Sequence, residues 1–137
     1  MRLWHTDFIS VLPRQQLLAQ WRELCSIYAK QDNHILINFV YKDISSLKKY
    51  SDLVIAEFSR RGYTIREQSM NKYRDYFSDK DLVDVSKIFS EKMNMRYFKQ
   101  CYYNLEEKFD CGSITIDEFE PIYCLAKVKM GQNRQNG

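Results

Sequence analysis

A chain of 137 residues with 45% hydrophobic composition has the size of one domain and can bury a real core. Four glycines and two prolines are too few for a sandwich or barrel that must turn about every ten residues, which excludes most all-β designs and leaves an α-rich class. A net charge of +3 is compatible with a polyanion partner without requiring one, and ten tyrosines are the more unusual feature, because aromatics fill cores but also stack on bases.

The opening MRLWHTDFIS holds no apolar run of signal-peptide length, and no later run approaches the roughly 18 apolar residues that cross a bilayer, so a cytoplasmic protein is expected, with no membrane partner. A first helix is predicted over 13–30, starting at Pro13, which the first turn tolerates. Leu17, Leu18, Trp21, Leu24, Cys25 and Tyr28 recur at helical spacing as its apolar stripe, and Gln15, Ala19, Arg22, Glu23 and Ser26 gather on the opposite side. The apolar run 35–41 is left open between a buried extended segment and a lead-in to a helix. A second helix is predicted over 45–61, capped by Asp43 or Ser45 and ended by Gly62, with Leu47, Tyr50, Leu53, Val54 and Phe58 facing inward and Arg60 and Arg61 at the negative end of its dipole.

Residues 66–77 lack a clean period and read as a loop. A third helix is predicted over 78–92, with Ser78 as cap and Leu82, Val85, Ile88 and Phe89 buried, and a fourth over 96–110, ended by Gly112. A short helix interrupted by Pro121 is expected over 117–128. The whole reads as one helical domain, 1–130, with 131–137 as a disordered tail.

The four cysteines form no CxxC pair and read as free thiols. EKFDCGSITIDEF echoes the second half of a calcium loop, with Gly112, Ile114 and Glu118 at the right offsets. In that register Phe109 and Cys111 would fall at ligand positions, and neither supplies a hard oxygen, so calcium is rejected in favour of a turn. His5 and His34 read first as hydrogen-bonded packing residues, since nothing in the sequence pairs either with a carboxylate.

Arg22-Glu23 on an exposed helix face is by itself a weak signal. The same residues, however, sit in QQLLAQWRELC, which resembles the first helix of the pyrimidine-dimer DNA glycosylase and abasic-site lyase family, the endonuclease V type, with the glutamate at the same distance from the initiator methionine. FVYKDISSLKKYSDLVIAEFSRRGYTI at 39–65 is similar to that family's second helix, and YFKQCYYNLEEKF is a candidate for its third. MRLWH resembles the opening of a bacterial branch of the family, which adds His5 as a candidate near the site.

The resemblance implies a mainly α, compact single-domain fold with the N-terminal segment packed against the first two long helices. It implies a glycosylase/lyase in which a free α-amine attacks C1′ of the damaged nucleotide, forms a Schiff base and permits strand cleavage by β-elimination. Met1, with Arg2 beside it, Glu23 and Arg22 are then the catalytic residues, and Gln15, His5 and Ser26 bind substrate. The partner implied is duplex DNA carrying a damaged or abasic site, met by a monomer without metal or organic cofactor. The chemistry is sound on its own terms: an α-amine titrates near pH 8 and is partly neutral at pH 7, and a carboxylate beside it can stabilise developing positive charge and move protons.

Two positions depart from the family's pattern. Residue 2 is Arg2 rather than a small residue, so Met1 is expected to be retained and the amine to sit one residue farther back. Ser26 stands where better-known members carry an arginine. A non-catalytic lesion-binding relative and a helical protein-interaction module therefore remain alternatives.

Overall fold

Pro13 leaves the first helix without a side-chain cap, and its carbonyl accepts the first helical bond, from Leu17 N at 3.0 Å. This helix, α1 (Arg14–Tyr28), buries Leu17, Gln20, Trp21, Leu24, Ile27 and Tyr28. The computed structural model describes residues 3–29 and 35–136, with backbone alone for 35–37 and 132–136. Met1, Arg2 and His34 lie outside the described residues.

Before α1 the chain enters with Leu3 and Trp4 buried and makes a 3₁₀ helix, Thr6–Val11, that buries Phe8 and Ile9. A second 3₁₀ helix, Ile35–Lys42, covers the run left open between strand and helix. Next, α2 (Ile44–Arg60) begins at Asp43, whose Oδ1 accepts from Ser46 N at 3.1 Å. It ends where Gly62 takes φ +77°, a left-handed conformation that costs a glycine little, and Tyr63 N bonds back to Phe58 O at 2.9 Å. Arg60 and Arg61 do more than meet the helix dipole. Both bind the buried Glu57 carboxylate, and both reach the Ser10 carbonyl at 3.4 Å, which ties the end of α2 to the first 3₁₀ helix. The expected packing of the N-terminal segment is thus observed: the first 3₁₀ helix lies on α2, and α1 packs on α2 and α3.

The third helix is not where the sequence pattern places it. α3 spans Glu67–Ser78, the stretch read as a loop, and 79–94 is irregular. Met70, Tyr73 and Phe77 do recur at helical spacing, but charged residues between them hide the stripe. The aromatic residues of this helix find their partner in Tyr28, whose ring centroid lies 6.1 Å from Tyr73, 5.4 Å from Tyr76 and 5.6 Å from Phe77. In 79–94, by contrast, Leu82 and Val83 are exposed, and backbone groups between 83 and 89 are held by side chains of α2: Val83 N donates to Ser45 Oγ and Phe89 N to Ser46 Oγ, both at 2.9 Å, while Lys49 Nζ donates to Val85 O. Side-chain hydroxyls that satisfy backbone N–H groups compete directly with helix formation, and two β-branched valines weaken the helix further. Phe89, at φ 46°, turns back into the core against Phe39 and Tyr50.

α4 (Met95–Asp110) is capped by Asn94 and stops at Gly112, φ +82°, with Ser113 N on Lys108 O at 2.9 Å. Glu118 is part of a capping box: its Oε1 accepts from Thr115 N at 2.9 Å while Thr115 Oγ1 accepts from Glu118 N at 3.2 Å. That pair starts α5 (Ile116–Asn136), a single helix longer than the expected 117–128. Pro121 lies near enough to its start that the hydrogen bond it cannot make is to the exposed first turn. Helical backbone also continues through most of the segment expected as a tail, where the sequence contains no proline to stop it. α4 packs on α5, with Phe109 stacked on Phe119 at 4.6 Å, and α5 returns to the first 3₁₀ helix. No helix of the described residues is long and apolar enough to cross a membrane.

Candidate functional site

The polar side of α1 turns Gln15 and Arg22 to solvent and leaves Ala19, Glu23 and Ser26 half-buried. Ser26 Oγ is occupied locally, donating to the Arg22 carbonyl one turn back at 3.2 Å. Glu23 differs from its neighbours in facing a built interior network. Its Oε2 accepts from Gln20 Nε2 at 3.3 Å, and Gln20, only 1% exposed, takes the backbone N–H of Trp4 on its Oε1 at 2.8 Å.

Three helices grip the same stretch of chain. From α2, the fully buried Tyr50 hydroxyl lies 2.7 Å from Trp4 O and 2.8 Å from Gln20 Oε1, its single proton shared between two acceptors. From α4, the Tyr97 hydroxyl donates to Leu3 O. Burial pushes the Tyr50 phenol well above the ordinary tyrosine value, and Tyr97, Cys101 and Glu23 push the same way, so it stays a donor throughout the neutral range. The peptide units at Leu3 and Trp4 are thereby fixed beside the helix that carries Arg22 and Glu23.

His5 belongs to a neighbouring cluster. It is buried against Phe8, Tyr97 and Phe98, and its Nδ1 accepts from Asp7 N at 3.1 Å, capping the first 3₁₀ helix. The Asp7 carboxylate lies 3.9 Å away, a partner that the sequence alone does not place beside it. Burial lowers the His5 pKa despite the opposing pull of Asp7 and of the hydrogen bond to the Met93 backbone. His5, Asp7, Lys49, Lys87 and Lys129 border an open cleft of about 780 Å³. Its cations are largely engaged: Lys129 pairs with Asp7 at 3.6 Å and Lys49 with Asp84 at 3.5 Å. Lys48 likewise pairs with Asp52 at 2.8 Å.

Sequence reasoning singled out Glu23, Arg22, Gln15 and Ser26 on one face of α1, and α1 does carry them together. It passed over Gln20, and it took Tyr50 for core while assigning Tyr97 no role of its own. The available signal was a glutamine set among Leu17, Trp21 and Leu24: an amide on an apolar stripe must find buried partners, and here they are Trp4 and Tyr50. Among the described residues, no three His, Cys, Asp or Glu side chains gather as a metal site requires.

No curated protein and no solved structure matches this chain. The profile of one family, described as pyrimidine dimer DNA glycosylase, matches residues 1–71, a span that includes the first 3₁₀ helix, α1, α2 and the beginning of α3. That span is more than half of the chain and contains Gln15, Gln20, Arg22, Glu23 and Tyr50, so the chain belongs to the pyrimidine dimer DNA glycosylase family.

Proposed function

We propose that this family member acts on duplex DNA at damaged or abasic sites through an α-amine at the start of the chain, with Glu23 assisting. The observation that carries the proposal is the Trp4–Gln20–Glu23 link, which binds the first described residues to the α1 carboxylate. Met1 N precedes Leu3 by two residues, a span of at most about 7 Å of extended chain from the peptide units that Tyr97, Tyr50 and Gln20 hold.

In this reading the neutral amine attacks C1′ of the damaged nucleotide. The C1′–N bond to the base breaks, or at an abasic site water leaves, and an imine forms between the amine and C1′. Loss of a C2′ proton then expels the 3′ phosphate by β-elimination. Glu23 stabilises the cationic imine and accepts or returns protons, while the exposed Arg22 and Gln15 are placed for phosphates. Met1 and Arg2 are the residues that carry and adjoin the amine.

Incubation with abasic-site duplex and borohydride tests this directly. An adduct on the N-terminal peptide is expected, forming faster as pH rises toward about 8, where the amine loses its proton. Glu23→Gln is expected to slow trapping by about a hundredfold or more. Absence of any adduct between pH 6 and 9 overturns the lyase reading. A second reading, lesion binding without cleavage, is favoured by Ser26, whose hydroxyl is bonded to the Arg22 carbonyl; it predicts salt-dependent duplex binding and no adduct.

A further inference from the structure

A glutamine amide has two unlike ends, an oxygen that accepts and a nitrogen that donates. The backbone N–H of Trp4 can only donate, so the end of Gln20 that lies 2.8 Å from it is fixed as the oxygen. The Tyr50 hydroxyl, which can donate or accept, fits that orientation by lying 2.8 Å from the same oxygen. The amide nitrogen is thereby directed at Glu23, 3.3 Å from Oε2, and donates to that carboxylate. Gln20 and Tyr50 are both essentially without solvent exposure, so water does not compete for these bonds.

We infer that Gln20 is a positioning residue that couples the first residues of the chain to the Glu23 carboxylate, an inference that rests on the reaction proposed above. Its two halves do separate work. The oxygen anchors Trp4, which sets where the chain start emerges. The nitrogen orients Glu23 and favours its ionised form, the form needed to stabilise an imine cation. Titratable groups on the facing elements are Tyr50 of α2 and Tyr97 and Cys101 of α4.

Gln20→Glu separates the two roles. It has nearly the same shape and still accepts from Trp4 and Tyr50, but it offers Glu23 a second carboxyl group in place of a donor. Gln20→Met removes both roles at similar volume and serves as the second variant. In the free protein, side-chain carboxyl titration of Glu23 by NMR, assigned with Glu23→Gln, should move upward by roughly one unit or more in Gln20→Glu, the upper step belonging to the carboxyl pair. A smaller upward shift is expected in Gln20→Met. In the trapping assay both variants should slow adduct formation about tenfold, with less than about a threefold change in half-saturating DNA.

A Glu23 titration unchanged from wild type in both variants overturns the inference. So does trapping at the wild-type rate in a folded Gln20→Glu protein. If wild type forms no adduct, the proposed reaction fails by itself, and the carboxyl titration still decides whether Gln20 is coupled to Glu23.

Discussion

Tyr50→Phe deletes one oxygen at the centre of the network and leaves the ring, so packing is nearly conserved while the hydrogen bonding is not. In the native protein the hydroxyl lies 2.7 Å from Trp4 O and 2.8 Å from Gln20 Oε1 at a site with no solvent exposure. After substitution Gln20 Oε1 retains the Trp4 N–H, but Trp4 O loses the donor that Tyr50 supplies. A buried acceptor deprived of its donor costs about 1–3 kcal/mol, and a value of about 2 is reasonable here because the phenylalanine ring recovers some apolar burial. With an unfolding entropy of about 2.1 cal/mol/K per residue, 137 residues give about 0.29 kcal/mol/K, so Tm should fall by about 7 °C. Because burial holds the Tyr50 phenol far above neutrality, the loss should be the same at pH 6 and pH 8. Calorimetry at the two pH values checks this, with Tyr102→Phe as a comparison whose hydroxyl donates to Glu106 on its own helix. A Tm within about 1 °C of wild type, or a loss that changes with pH, would refute the argument that this hydroxyl pins the N-terminal segment.

Two further outcomes are expected. The lowered His5 pKa means that the folded protein resists a proton that the unfolded chain accepts near pH 6.5; stability should therefore fall as pH drops through about 6.5 toward the native value, and His5→Gln should flatten that slope in urea midpoints measured from pH 5 to 8. For Glu57, burial raises the pKa but Arg60 and Arg61 outweigh it, so the carboxylate stabilises the fold above its unfolded pKa and loses that contribution as pH falls through its folded one. Glu57→Gln should cost about 1–2 kcal/mol at pH 7, toward the low end for charged hydrogen bonds because the Arg60 side chain is 62% exposed, and the cost should disappear in strong acid.

What the sequence by itself determined is local. The α-rich class follows from scarce glycine and proline together with 3.6-residue periodicity. The bounds of α1, α2 and α4 follow from stripes and stop signals within a few residues of each element, Gly62 and Gly112 among them, and the family was legible because Arg22 and Glu23 lie in an ungapped block. What only the tertiary structure decided depends on partners distant in the chain. Whether Glu67–Ser78 or the following stretch becomes helical turns on which of them meets the Tyr28 ring and which meets the Ser45 and Ser46 hydroxyls. The role of Gln20 is of the same kind. A buried amide declares that it needs partners, but which ones is settled 16 residues earlier in Trp4 and 30 residues later in Tyr50, because hydrogen bonds are satisfied in space and leave no periodic trace along the chain.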